Sequence, residues 1–415
     1  MTTRRTLIKQ GALGAATFAS ASVMPWRILS AQGKTVKAAC IAPFSGPWAR
    51  TGTLIRMGCE MAIEEINQKG GIKALGGAKM ELVAIDAGDS TEKAKNAAQR
   101  LVAQEPDVIG GTGAWLSSFT LAVTEVTERA QIPWLTLSYA DSLTDRGFKY
   151  IFQTSATASK QAIDQLPTII DLAKAATGKA PATAGIIGDN TASPVAFLKP
   201  MREGALSKAG IKTLFDETYT PPLADATPLM QKVRSNKPDF LLFISTNLSD
   251  LKLGLEKMSE FRLGKGVVPT IGNGAANGSP EVLKAMGADL LEGYIFSIAD
   301  WAMKGQETII EAFKKKFNEP WMTQDSITGY GDMWILKEAV ERAGVADKIK
   351  VNEALHAMDL KDSPANIAFP GPIKFDAAGH RLDAPLVMAQ WQNGVPHTIY
   401  PIDRATATAK WPKSA

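Results

Sequence analysis

Residues 36–71 read VKAACIAPFSGPWARTGTLIRMGCEMAIEEINQKGG. Apart from Lys37 the first seven are apolar without alternation, the pattern of a strand covered on both faces. After a loop bearing Pro and Gly, the residues Leu54, Met57, Gly58, Met61, Ala62 and Ile66 recur at three- and four-residue spacing, which is one helix face. Strand, loop and amphipathic helix make half of a βαβ unit, and the pattern repeats. Lys79 to Asp86 reads as strand, Asp89-Ser90-Thr91-Glu92 as the start of a helix to about Gln104, Pro106 to Gly110 as strand, Ser117 to Ala130 as helix and Pro133 to Leu137 as strand. The alternation restarts after Thr154, with helices expected over 159–176, 194–209, 227–235 and 250–261 and strands over 184–188, 212–218, 240–245 and 268–271. Crossovers of this length imply right-handed connections and parallel sheets, and a chain this long should form two of them, with Tyr150 to Thr154 as the first crossing. Beyond Gly293 we expect a strand over 294–298, helices over 307–317 and 326–343, antiparallel runs at Ile373 to Phe375 and Leu386 to Trp391, and a frayed polar tail from Ala405.

Composition is that of a globular chain: 415 residues, 45% hydrophobic and 21% charged. The 46 Lys and Arg exceed the 42 Asp and Glu by four, and Arg4, Arg5, Lys9 and Arg27 all fall within the first 31 residues, where there is no acid. The remainder is balanced, so no basic surface is available for nucleic acid. His356, His380, His397, Cys40 and Cys59 are too few for a zinc centre, and no metal or cofactor is expected.

Thr3-Arg4-Arg5-Thr6-Leu7-Ile8-Lys9 precedes an uncharged run from Gly11 to Met24. This reads as a twin-arginine signal peptide over 1–31, with the mature chain starting between Ser22 and Lys34. The run is too short and too rich in Gly and Ala to span a bilayer, so a periplasmic chain without a membrane span is expected. Export would permit a disulfide. Folding in a reducing cytosol before export makes two buried free thiols the expectation for Cys40 and Cys59.

Gly-rich turns invite a nucleotide reading, and each fails it. Leu116 stands where a third glycine should follow Gly111-Thr112-Gly113, and Asn277 where one should follow Gly272-Asn273-Gly274; phosphate-loop and nucleophile-elbow patterns are missing too. His356 and His380 read as solvated or capping, Glu64-Glu65 as a solvated helix face, and the chain as not an enzyme. The loops at strand ends carry more. Ligands of parallel α/β sheets gather outside the carboxyl ends of the strands, and three such loops hold Trp48, Trp115 and Tyr139 as flat apolar surface. The second ends in Leu116-Ser117-Ser118 at a helix start, where free N–H groups and hydroxyls suit a carboxylate, or where a serine simply caps the helix.

Four phrases resemble a known family: Pro43-Phe44-Ser45-Gly46-Pro47, Ala62-Ile63-Glu64-Glu65-Ile66-Asn67-Gln68-Lys69-Gly70-Gly71-Ile72, Asp86-Ala87-Gly88-Asp89-Ser90 and Leu143-Thr144-Asp145-Arg146-Gly147-Phe148-Lys149-Tyr150. They are similar to type I periplasmic binding proteins, above all the leucine/isoleucine/valine-binding branch, over nearly the whole chain after the signal. The resemblance implies an α/β fold of two Rossmann-like lobes with parallel sheets, joined by three hinge crossings and closing on a small molecule. It implies the permease and ATPase subunits of an ABC importer as partners. Lobe 1 would comprise 34–153 and 298–366, lobe 2 would comprise 154–297 and 367–404, and 405–415 would be a tail. By similar placement, ligand contacts fall at Trp115, Leu116, Ser117, Ser118, Ser138, Tyr139 and Ala140, and opposite them at Asn190 to Ser193, Thr246, Asn247, Asn273 and Gly274. Amino-acid binders of the family carry an acid at the loop matching Gly272-Asn273-Gly274, and this chain has none. The expected ligand is then an amino acid, a carboxylate or an amide, with Asp189 and Asp300 as acids able to reach the cleft instead. A sensory module of the same fold and an exported oxidoreductase are the competing readings; the missing nucleotide and metal motifs count against the second.

Overall fold

The computed structural model describes residues 35–265 and 267–411. The expected signal at 1–31 and the start of the mature chain lie outside the described residues. Two sheets form. The first has five parallel strands, β1 (Val36–Ala42), β2 (Met80–Asp86), β3 (Gly111–Gly113), β4 (Trp134–Thr136) and β5 (Ile151–Gln153), in the order β2-β1-β3-β4-β5. The second has seven, β6 (Thr183–Asp189), β7 (Lys212–Tyr219), β8 (Phe240–Ile244), β9 (Thr270–Asn273), β10 (Ile295–Ile298), β11 (Val387–Gln392) and β12 (Val395–Tyr400), in the order β12-β11-β10-β9-β8-β6-β7. Strands β6 to β10 pair in parallel, and β11 and β12 add an antiparallel edge. The alternation of strand and helix dictates this arrangement, because a parallel neighbour is reached through a long crossover, usually a helix. Helices α1 (Ala49–Gln68), α2 (Thr91–Gln104) and α3 (Ser117–Arg129) serve the first sheet; α4 (Ala158–Thr177) and α5 (Ala192–Pro200) open the second series.

The chain changes sheets three times, between β5 and α4, after Ile298, and before Val387. After the second change, the helix Gln324–Ala343 docks on α1 in the first half. Gly58 makes that approach possible: a Cβ there would lie 2.0 Å from the carbonyl oxygen of Ser326. No helix among the described residues is long and apolar enough to cross a membrane.

Several elements differ from the sequence reading. The strand expected over 106–110 lies instead at Gly111–Gly113, because the strand must pass under Trp134: a Cβ on Gly111 would sit 2.4 Å from its ring. The helix expected over 194–209 begins at Ala192 and is interrupted over Met201–Ala205, where Gly204 takes φ +121°. Ile373 and Phe375 form isolated bridges, to Leu360 and Arg381, while His380 bridges to Gln153 at the edge of β5. Residues 373–381, placed with the second lobe by sequence, thus pair with elements of the first. The expected frayed tail is docked over 406–411, where Thr406 N–H donates to Thr398 O at 2.8 Å, Gln390 donates to Lys410 O at 2.5 Å, and Trp411 is buried. Cys40 and Cys59 are buried and unbonded, as expected.

Candidate functional site

In a doubly wound sheet the strand order reverses at one point, and the loops there open a crevice. Here the reversals lie between β1 and β3 in one sheet and between β6 and β8 in the other. A cleft between the halves, with about 590 Å³ of empty space including its opening, is lined by the loops that follow β3, β4, β6, β8 and β9.

Its first wall is Trp115, Leu116, Ser117, Ser118, Leu137, Ser138 and Tyr139. Trp115 is held at φ +74°, an uncommon conformation for a bulky residue and one that places it at the start of the loop into α3. Ser117 Oγ accepts from the Ala140 N–H at 3.1 Å and keeps its own proton to donate. Ser138 Oγ donates to Trp115 O at 2.7 Å. The Tyr139 hydroxyl donates to Gln324 Oε1 at 2.6 Å, so that its ring contributes to the wall while its hydroxyl is engaged elsewhere; burial pushes that phenol well above its ordinary range.

The second wall is Thr191, Ala192, Ser193, Pro194, Ser245, Thr246 and the turn from Asn273 to Asn277. Asp189, at the end of β6, is 1% exposed and fully engaged. It accepts from Thr191 N–H at 2.9 Å, Thr191 Oγ1 at 2.6 Å, Thr246 N–H at 2.7 Å and Thr246 Oγ1 at 2.8 Å. Ser245 Oγ lies 2.9 Å from the Tyr219 hydroxyl, which donates to it, and itself donates to Asn247 O at 3.1 Å. The Asn273 amide N–H₂ donates to Gln161 Oε1 at 2.8 Å and Ser297 Oγ at 2.9 Å.

Two consequences follow for binding. Neither α3 nor α5 receives a side-chain cap, because Leu116 has no polar group and the Thr191 hydroxyl is turned to Asp189. The first-turn N–H groups of both helices are therefore left for a ligand, and they carry the positive end of each helix dipole. The wall as a whole holds no Asp, Glu, Lys, Arg or His. No cluster of three metal-ligating side chains occurs among the described residues.

Four of the residues proposed from sequence do not line the cleft. Trp48 packs behind the wall, tilted to Trp115 at 6.2 Å and edge-on to Phe119 at 5.7 Å between ring centroids. Ala140 is buried and donates its N–H to Ser117. Asn190 is exposed and bonded to Thr220 at 2.8 Å; Asn247 precedes the helix Leu248–Glu260 as its N-cap. Thr191 and Ala192, within the expected range Asn190 to Ser193, do line the cleft, and so do Leu137, Pro194, Ser245, Ala275, Ala276 and Asn277, which were not singled out. Gly274-Ala275-Ala276-Asn277 ahead of Ser279-Pro280 is a loop leading into a helix start, and that signal could have found the last three.

Behind the cleft lie three buried acids. Asp300 pairs with Arg381 at 3.1 Å, and neither side chain is more than 1% exposed. Burial raises the Asp300 carboxyl to about 6 against the pull of Arg381. Burial also raises Asp325, beside Trp115, and Asp332, bonded to Thr112 at 2.5 Å, each to about 7. All three sit outside the wall.

The profile of the periplasmic binding protein family matches residues 35–395. A Leu/Ile/Val-binding protein homolog 7 of Brucella suis biovar 1 (strain 1330) is 28% identical over 388 residues, covering 91% of this chain and 94% of the relative. Among solved structures, the branched-chain amino acid transporter substrate binding protein LivJ from Streptococcus pneumoniae, in complex with isoleucine, superposes with a TM-score of 0.75 at 19% identity, over 88% of this chain and 98% of that one. A solute binding protein of an ABC transporter from R. palustris, in complex with benzoate, gives 0.71 at 18% identity, over 92% and 100%.

Proposed function

The chain belongs to the periplasmic binding protein family, and from that premise we propose that it is the extracytoplasmic solute-binding subunit of an ABC importer, exported by the twin-arginine route through residues 1–31. It captures a small carboxylate between two lobes and hands it to the permease and ATPase subunits, performing no chemistry on it. Lobe 1 is assigned 34–153 and 298–382, lobe 2 the remainder of the mature chain; the pairing of His380 with Gln153 supports moving that boundary. The ligand contacts assigned are Trp115, Leu116, Ser117, Ser118, Ser138, Tyr139, Ser193, Thr246, Asn273 and Gly274.

One observation carries the ligand class: two uncapped helix N-termini open on a wall that has no charged side chain. Backbone N–H groups at helix ends favour an anion. An α-amino acid, the ligand named for the Brucella relatives, would also bring an ammonium group. No carboxylate in the wall is free to pair with it, because the lone pairs of Asp189 are already taken by four donors, and only neutral oxygens remain. Burying an ammonium with no counter-charge costs several kcal/mol, which erases most of the roughly 8 kcal/mol that micromolar binding represents. The rings of Trp115 and Tyr139 suit an apolar or aromatic body. Calorimetry on the mature chain with 3-phenylpropionate and phenylalanine tests this: the deaminated acid should bind at least about tenfold more tightly. Tight binding of phenylalanine or leucine, with none of their deaminated analogues, would refute it.

A further inference from the structure

We propose that Asn277 is a specificity-determining residue of the cleft, reading a second polar group on a ligand whose carboxylate lies at the helix ends. The inference rests on the carboxylate reading above and adds a requirement to it. Most polar side chains of the second wall are engaged within the protein: Thr191 and Thr246 by Asp189, Ser245 by Tyr219 and the Asn247 carbonyl, and the Asn273 N–H₂ by Gln161 and Ser297. Asn277 differs. It is 3% exposed, it lines the cleft, and its side-chain amide has no hydrogen-bond partner among the described residues. Its Nδ2 lies 3.8 Å from where a Cβ on Gly274, another residue of the cleft wall, would stand.

The backbone that carries it is held from behind. Trp391 Nε1 donates to Asn277 O at 2.9 Å, Trp321 Nε1 donates to Gly278 O at 2.8 Å, and Asn277 N–H donates to Gly274 O at 3.2 Å. Four residues after Asn277, Glu281 accepts from Arg50 at the start of α1 at 2.6 Å. Trp391 comes from the sheet of the turn itself, while Arg50 belongs to the opposite half. The turn is thus fixed from both halves, and a fixed amide with unmet donors and acceptor is a recognition element. A ligand that covers this amide strips it of water, so one that supplies a partner gains over one that does not. Neighbouring strands lie about 4.8 Å apart, and β9 is two places from β6, so the turn stands roughly 10 Å along the sheet edge from the N-terminus of α5. The second polar group therefore sits at the opposite end of the ligand from its carboxylate.

Calorimetry with 3-phenylpropionate and 3-(4-hydroxyphenyl)propionate on the wild-type chain and on Asn277→Leu tests this, with Asn277→Ala as the smaller replacement should leucine disturb the turn. The hydroxylated acid should bind the wild type at least about tenfold more tightly, and the preference should shrink to within about threefold in the variants while 3-phenylpropionate is retained. A preference that is missing from the wild type, or that stays the same in both variants, overturns the role of Asn277 alone. Failure of the wild type to bind either acid overturns the carboxylate reading, and this inference with it.

Discussion

Replacing Arg381 with methionine would remove a guanidinium that touches all three passages between the sheets. Its Nη1 donates to Asp300 Oδ1 at 3.1 Å and to Thr154 O at 3.4 Å, and Nη2 donates to Pro370 O at 2.6 Å. Thr154 follows β5, Asp300 follows β10 and Pro370 precedes β11, so one side chain fastens the first, second and third passages together. The Arg381 side chain is 0% exposed and its guanidinium carbon lies 5.4 Å over the Phe369 ring. Methionine keeps most of the apolar stem, so the loss is mainly of charge and donors. Removing one partner of a buried ion pair costs about 3–5 kcal/mol, because the other is left desolvated. Two carbonyls stripped of donors add about 1 kcal/mol each. Measured against a total stability of roughly 5–15 kcal/mol, the variant should fold but unfold at markedly lower urea, read from tryptophan fluorescence. Asp300→Asn should cost less: burial already favours the uncharged form of that carboxyl, which stands at about 6. The double variant should therefore be more stable than the sum of the singles predicts, by more than about 1 kcal/mol. An Arg381→Met protein within about 1 kcal/mol of wild type, or an additive cycle, would refute the view that this pair fastens the hinge.

Two further outcomes can be checked. Ser117→Ala combined with Ser118→Ala should weaken 3-phenylpropionate binding by roughly ten- to a hundredfold, since hydrogen bonds to a charged group are worth about 1.5–3 kcal/mol; apo stability should fall by only about 1 kcal/mol as Ala140 N–H loses its acceptor, and unchanged affinity would remove the serines from the site. Asp325 and Asp332 carry carboxyls raised from 3.8 to about 7, so the native state holds protons that the unfolded chain has released between those values; stability should rise as pH falls from 8 toward 5. Melting temperatures across that range should show the rise, and Asp332→Asn should flatten it; an identical slope in the variant would exclude Asp332 as its source.

The architecture was legible because parallel α/β chains write their periodicity twice. β1 was read to the residue, as was the helix Glu307–Phe317, and most other elements fell within two residues. The failures share a cause. Gly111–Gly113 carries almost no side chain, so the run Val108-Ile109 drew the strand toward itself, although the true position is set by the space under Trp134. The hairpin of β11 and β12 turns on Asn393-Gly394, with φ of +55° and +76°, a pair that marks such turns and that follows directly on the expected run Leu386 to Trp391 and Gln392. The tail looked frayed by composition. It is docked because Gln390 and Gln392, buried on β11, have amides to satisfy, and the tail carbonyls satisfy them.

The site was legible as a set of loops but not as a charge distribution. Strand ends and helix starts located Trp115 to Ser118, Ser138, Tyr139 and Ser193, since their position follows from topology alone. Which polar groups remain available does not follow from topology. Asp189 and Asp300 were both near enough in sequence terms to replace the acid missing at Gly272-Asn273-Gly274, and both are removed from binding by partners far along the chain: Thr246, 57 residues on, for the first, and Arg381, 81 residues on, for the second. Asn273 and Asn277 look alike in the sequence, four residues apart. One has its N–H₂ engaged by Gln161, 112 residues away, and the other by no described residue. The chemistry of the cleft is thus decided by which groups still have unmet donors or lone pairs after folding. On that count the proposed ligand, an anion with no ammonium, meets two helix ends and one free amide and brings no positive charge for which the wall lacks a counter-charge.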